Sequence, residues 1–164
     1  MRTEERVDLS RLATISSLML RQTDKARKVD FSIAAEMEVL GDKTLLRLVV
    51  ENLLNNAWKY TAQEKTACIE FGTDVMDGQE VFFVSDNGTG FDMAYQDKLF
   101  GAFQRLHGAE YEGNGIGLAT VKRAIERHGG TIWAEGEVGS GATFYFTLGK
   151  ETISLPRQLR QLSA

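Results

Sequence analysis

Three short stretches carry residue types able to hold a charged, flat ligand. The first is Asn52-Leu53-Leu54-Asn55-Asn56-Ala57-Trp58-Lys59-Tyr60. On a helix, residues three and four apart share a face, so Asn52, Asn56 and Lys59 form one polar stripe roughly opposite Val50, Leu53 and Ala57. Two readings suit the stripe. One is a solvated helix face; the other is an amide oxygen for Mg²⁺, which takes oxygen ligands, beside a lysine facing phosphate. The second stretch is Asp86-Asn87-Gly88-Thr89-Gly90 at the end of an apolar run. Asp-Asn-Gly is an ordinary turn signal. It is equally a carboxylate placed to accept a hydrogen bond from an exocyclic amine such as that of adenine, with Gly88 and Gly90 letting the backbone approach a flat base. The third, Gly113-Asn114-Gly115-Ile116-Gly117-Leu118, opens a helix, where N–H groups and the helix dipole favour phosphate.

The elements that must position these stretches follow from periodicity. A helix is expected over 8–24, capped by Asp8, with Leu12, Ile15 and Leu18 or Met19 at helical spacing. A second runs from its N-cap Asp42 to about Tyr60 on a core stripe of Leu46, Val50, Leu53 and Ala57. A third spans about 115–128 with Leu118, Val121 and Ile125 inward, closed by Gly129. Strands are expected at Val29–Ile33, Cys68–Phe71, Val81–Val84, Thr131–Glu137 and Ala142–Leu148. A hairpin turn lies at Met76-Asp77-Gly78-Gln79, and Phe144, Phe146 and Leu148 share one face. Asp92 is read as capping a short helix ending near Phe100, and 101–113 as a long loop. The fold class is α+β: a two-layer α/β sandwich with a mixed, mainly antiparallel sheet covered on one face by helices.

Composition excludes several alternatives. With one cysteine, Cys68, and two histidines, His107 and His128, neither a disulfide framework nor a Cys/His metal centre is available. A net charge of −4 argues against a general nucleic-acid binder. No run approaches the ~20 apolar residues of a membrane span. Met1–Arg6 is charged with no apolar region behind it, so a cytoplasmic domain without membrane contact is expected. No Gly-x-x-x-x-Gly-Lys-Ser/Thr loop occurs, and no strand runs directly into the Gly113–Gly117 turn, which removes P-loop and dinucleotide fingerprints.

In this order and at these separations the motifs resemble the ATP-binding catalytic domain of sensor histidine kinases, part of a superfamily with DNA gyrase B, Hsp90 and the mismatch-repair ATPases. The resemblance covers about 8–148. Asn52–Tyr60 is similar to the N box, Asp86–Gly90 to the G1 box, Leu99-Phe100-Gly101-Ala102-Phe103-Gln104-Arg105-Leu106-His107 to the F box, and Gly113–Leu118 to the G2 box. Gly139-Ser140-Gly141-Ala142-Thr143-Phe144 resembles the closing glycine turn. Phe103–His107 and Gly129–Trp133 are most like the subset linked to phytochrome or PAS sensors.

The resemblance implies a Bergerat-type fold that binds ATP and Mg²⁺. Asn56 would ligate Mg²⁺, with Asn52 near metal and triphosphate, Lys59 on phosphate and Tyr60 beside the base or ribose. Asp86 would read the adenine amine, flanked by Gly88 and Gly90. Gly113, Gly115, Ile116, Gly117 and Leu118 would cradle phosphates. Phe100, Leu106 and Thr143 would complete the ATP site, with 101–113 as its lid, and Arg105 would reach the γ-phosphate as the one catalytic side chain. Asn114 stands where the family usually has Thr, and Gly101-Ala102 where it has Glu-Pro. Where the superfamily's ATPases carry a water-activating Glu, this chain has Asn52, which cannot serve as a general base, so the resemblance implies a kinase. Glu51 lies about 100° around the helix from Asn52.

The implied partners are a dimerisation domain that supplies the phosphoacceptor histidine and a downstream response regulator, with the isolated domain monomeric and its parent a homodimer. The expected organisation is a catalytic domain over 1–150 and a tail over 151–164, with the dimerisation domain lying outside this chain. His128 is expected to stabilise a helix C-terminus, and His107 to belong to the lid. The alternatives are an anti-sigma-factor-type serine/threonine kinase and a non-catalytic nucleotide-binding module.

Overall fold

The computed structural model describes residues 5–94, 99–100 and 114–149, with side chains from Gly117 onward in the last of these. The chain forms β1 (Glu5–Asp8), α1 (Leu9–Thr23), β2 (Val29–Ile33), β3 (Glu38–Gly41), α2 (Lys43–Tyr60), β4 (Ala67–Met76), β5 (Gln79–Asp86), α3 (Asn114–Arg127), β6 (Ile132–Glu137) and β7 (Gly141–Phe146). Five strands make one sheet in the order β2-β4-β5-β7-β6, in which only the β2–β4 pair is parallel. The expected strand class therefore holds. The first strand is earlier than expected, however: β1 pairs antiparallel with β3 in a separate two-stranded sheet.

Alternation along the strands sorts residues between two faces. Ile69, Phe71, Phe82, Val84, Ala134, Phe144 and Phe146 point into a core shared with Leu46, Val50, Leu53 and Ala57 of α2 and with Leu118, Val121 and Ile125 of α3. The opposite face carries the stacked rings of Trp133 and Tyr145, 5.4 Å apart. The β4–β5 hairpin turns on Asp77 and Gly78, both at positive φ, which matches the two-residue type I′ turn.

α2 is fixed at both ends. Asp42 accepts the Leu45 N–H at 3.1 Å as its N-cap. At the far end Arg27 donates to the Trp58 carbonyl and the Thr61 hydroxyl, both at 2.8 Å, with its guanidinium 4.1 Å from the Trp58 ring. Burial lowers the Arg27 pKa, partly countered by Asp24.

His128 stabilises the C-terminus of α3 as expected, and it also reaches the start of α2. It is buried, its Nε2 accepts the Asp42 N–H at 3.0 Å, and the other ring nitrogen is therefore the donor to the Ala124 carbonyl at 2.8 Å. The ring braces the end of α3 against the start of α2 through paired hydrogen bonds. Replacing it with alanine leaves the half-buried Asp42 N–H and the buried Ala124 carbonyl without this partner. His128→Ala is expected to lose about 2–3 kcal/mol in urea unfolding, and faster hydrogen exchange at the Asp42 amide should accompany the loss.

α1 is a helix where expected, capped by Asp8. Its buried residues are Leu9, Ala13, Ser16 and Ser17. Leu12 sits at the edge of the core, while Ile15, Leu18 and Met19 face out. Small side chains let α1 lie close against its neighbours, so the apolar stripe is left on the surface.

Candidate functional site

Asp86 ends β5 on the core face, 8% exposed. Its carboxylate accepts the Gly88 N–H at 2.8 Å and the backbone N–H of Ala142. Burial dominates its titration. It raises the pKa from 3.8 to about 6 against the pull of those two hydrogen bonds, and nearby Glu64 adds a little.

The loop after Asp86 is packed from several sides. The Thr89 N–H donates to the Tyr60 carbonyl at 3.0 Å, and the Gly139 N–H to the Thr89 carbonyl at 2.7 Å. Asn87 stitches the loop to the start of β4: its Oδ1 accepts the Cys68 N–H at 2.8 Å and its amide nitrogen donates to the Thr66 carbonyl at 3.0 Å. A Cβ on Gly88 would lie 2.2 Å from the Tyr60 oxygen. One on Gly90, whose φ is 67°, would lie 2.0 Å from the Glu137 oxygen. These glycines are thus required by contact of the chain with itself.

α2 connects this loop to the helix that opens the third motif. Asn56 is buried and Asn52 half-buried one turn earlier. Asn52 donates to the Leu48 carbonyl at 2.8 Å, and its Oδ1 lies 2.8 Å from where a Cβ on Gly117 would stand. Gly117 therefore belongs to a close α2–α3 contact at the N-terminal turn of α3. Gly115 and Ile116 lie in the same turn. Leu118 is in the core. Lys59 is half-buried and Tyr60 buried at the end of α2 next to the Asp86 loop. Phe100 packs edge-on to Phe144 at 6.1 Å, consistent with an apolar anchor. Asp92 accepts the Ala94 N–H at 2.9 Å, as a cap would. Gly113, Arg105, Leu106 and the lid 101–113 lie outside the described residues, as does the tail.

One assignment is corrected. Thr143 lies on the outer face of the sheet, where its hydroxyl is 2.9 Å from that of Ser85. Asp86 pairs across the strands with Ala142, and Ala142 shares its face. Ala142, the residue before Thr143, supplies a backbone N–H to Asp86. Alternation was the available signal: with Phe144 and Phe146 inward, position 143 must point outward.

α2 touches both other motifs: Asn52 lies against Gly117 in the first turn of α3, and the Tyr60 carbonyl lies against the loop after Asp86, on the helical side of a mixed sheet that makes the fold a two-layer α/β sandwich.

The family described as "Histidine kinase-, DNA gyrase B-, and HSP90-like ATPase" matches residues 41–152, and the chain belongs to it. It is 43% identical over 111 residues to cyanobacterial phytochrome A of a Nostoc species, covering 67% of this chain and 14% of that protein. It is 33% identical over 162 residues to the circadian input-output histidine kinase CikA of Synechococcus elongatus, covering 93% and 21%. The chain thus spans about a fifth or less of these relatives. Among solved structures, full-length ShkA in complex with AMPPNP superposes with a TM-score of 0.75 at 28% identity, covering 95% of this chain and 33% of that one. The mycobacterial sensor histidine kinase MprB shares the fold, with a TM-score of 0.74 at 21% identity, covering 91% of this chain and all of that one.

The Asp86 carboxyl gives the site a pH signature. Raised above its unfolded value, it contributes stability that is complete below pH 3.8 and is lost as pH rises through about 6. An amine donor at the carboxylate favours the charged form, so nucleotide affinity should run the other way. It should be flat above about pH 7 and fall about tenfold by pH 5. Calorimetry of ADP binding across that range checks this. Asp86→Asn should retain only the slope contributed by the nucleotide's own phosphates.

Proposed function

We propose that this chain binds ATP with Mg²⁺ and donates the γ-phosphoryl group to a histidine on a dimerisation domain of a two-component sensor kinase. The observation that carries the reading is the continuity of α2. One helix brings Asn52 to the start of α3 and the Tyr60 carbonyl to the Asp86 loop, with buried Asn56 between them. Asp86 accepts from the adenine amine, and the N–H groups opening α3 receive phosphate oxygens.

No group of three or more His, Cys, Asp or Glu is arranged for a metal among the described residues, so a caged ion does not suit the site. A buried amide oxygen on Asn56 does suit Mg²⁺, which keeps several waters and takes most of its protein-independent ligands from phosphates. Bound there, Mg²⁺ would neutralise charge on the triphosphate. Asn56 would hold the ion, and Lys59 and the α3 N-terminus would orient the phosphates. Transfer breaks the bond between the γ-phosphorus and the bridging oxygen, forms a phosphorus–nitrogen bond to the partner histidine, and leaves ADP. Asn52 offers no base to activate water, which disfavours hydrolysis over transfer.

The histidine-bearing domain, the response regulator, a homodimeric parent and a cytoplasmic setting belong to the same proposal. No helix among the described residues is long and apolar enough to cross a membrane. The test is incubation with γ-labelled ATP and a dimerisation domain carrying its histidine. Label that is lost in acid and stable in base supports the reading. Acid-stable label would move the chain to the serine/threonine kinases that share this fold. Binding without transfer would leave a nucleotide-binding module.

A further inference from the structure

The outward face of α1 forms one wall of a groove of about 500 Å³ whose other walls are β1 and the first half of α2. Leu12, Ile15 and Met19 contribute its apolar surface; Ile15 is 45% exposed and Met19 63%, and Leu18, 56% exposed, extends the apolar strip beside it. The side of α1 turned inward carries Leu9, Ala13, Ser16 and Ser17, with Leu12 and Leu20 at the edge of the core, so Ile15, Leu18 and Met19 are left as a second apolar side without a partner in the fold. The rim is basic. Arg6, Arg11, Lys43 and Arg47 line the groove against two acids, Asp8 and Glu51, on a chain whose net charge is −4. Both acids are engaged, and so are two of the bases, Arg47 with Glu51 and Arg6 with Glu38 at 3.9 Å, which leaves Arg11 and Lys43 as the cations the rim offers first. Asp8 accepts the Arg11 N–H as helix cap, and Glu51 pairs with Arg47 at 3.0 Å. Arg11 and Lys43 form no ion pair among the described residues.

We infer that this groove docks an amphipathic α-helix of a partner protein domain, with an apolar ridge seated on Leu12, Ile15 and Met19 and acidic residues along its edges meeting Arg11 and Lys43. From Asp8 to Met19 the groove wall runs about 16 Å, enough for three helical turns. Its concave shape receives a helix ridge laid along it. The basic rim selects against a second copy of this chain, since a symmetric contact through α1 would set arginine against arginine. A flat anionic bilayer would reach the exposed Met19 and Leu18 without filling the space between α1 and α2.

The test uses two stapled helical peptides with leucines at i, i+3 and i+7, one flanked by glutamates and its twin by lysines. Methyl NMR of the full chain should show shifts at Leu12, Ile15 and Met19 with the glutamate peptide, and binding by the lysine twin should be at least about tenfold weaker. Raising salt from about 0.05 M to about 0.5 M should weaken the glutamate peptide severalfold. The exposed-site variants Ile15→Asp and Met19→Asp should each cost about tenfold in peptide affinity while leaving thermal unfolding and ADP binding unchanged. Equal binding of the twins, or shifts confined to other surfaces, would overturn the proposal. So would concentration-dependent dimerisation that Ile15→Asp abolishes, or Ile15-dependent binding to phosphatidylserine vesicles with no response to the glutamate peptide.

Discussion

Asp86→Asn is expected to weaken ATP and ADP binding about 100-fold at pH 7.5, roughly 2.7 kcal/mol, without unfolding the domain. The carboxylate only accepts hydrogen bonds. Two of its acceptor positions already meet the N–H groups of Gly88 and Ala142, which fix its orientation, and the outward lone pairs remain for an incoming amine. Asparagine keeps one oxygen but exchanges the other for an NH₂ group. Turned one way, it confronts the adenine amine with a donor; turned the other, it confronts Gly88 or Ala142.

The apo protein should not suffer equally. A carboxyl raised to about 6 means that the charged form burdens the folded state by roughly 3 kcal/mol above that pH, and the neutral amide removes this burden. Asp86→Asn should therefore unfold at the same temperature as the parent or a higher one, while losing its nucleotide-induced rise in Tm. Calorimetric affinities within about threefold of the parent would remove Asp86 from the nucleotide site.

The same opposition between burial and function explains which parts of the molecule could be read from residues alone. α2 was legible from both sides: Leu46, Val50, Leu53 and Ala57 keep helical spacing, and Asp42 sits where a cap belongs. The hairpin at Asp77-Gly78 and the inward Phe144–Phe146 alternation were equally plain. β1 and β3 were not, because four residues without alternation become strands only when they pair with each other.

The facing of α1 could not be read from its spacing. Periodicity locates an apolar side and is silent about what that side meets, and here the core takes Ala13, Ser16 and Ser17 while Ile15 and Met19 stay outside. At the candidate site, the motif residues could be named from the sequence, but their supports were hidden. Arg27 reaches α2 across 31 positions, and Asn87 holds β4 across about 20, each through backbone atoms that no pattern of side-chain types records. The glycines of the Asp86 loop were identified as necessary, and the reason became visible only with Tyr60 and Glu137 in contact with them.

Asn56→Ala is expected to reduce phosphoryl transfer to an added histidine domain about 1,000-fold while changing ADP affinity in EDTA by less than about threefold. The contrast follows from where Asn56 stands. It lies one helical turn before Tyr60, near the Asp86 loop, yet it makes none of the hydrogen bonds that hold that loop, which come from the Tyr60 carbonyl, Asn87 and Gly139. The purine end should therefore survive its loss. What disappears is an oxygen donor at the phosphate end, in a site where no cluster of carboxylates among the described residues stands ready to replace it.

The binding signature separates this from simple damage to α2. In the parent, Mg²⁺ should tighten ADP binding; in Asn56→Ala, titrations with and without Mg²⁺ should coincide. Asn56→Asp retains an oxygen of nearly the same shape and should recover part of the Mg²⁺ dependence, which a helix merely destabilised at that position would not do. A Mg²⁺ effect of equal size in Asn56→Ala and the parent would show that the ion is held without this amide, and the metal assignment would have to leave α2.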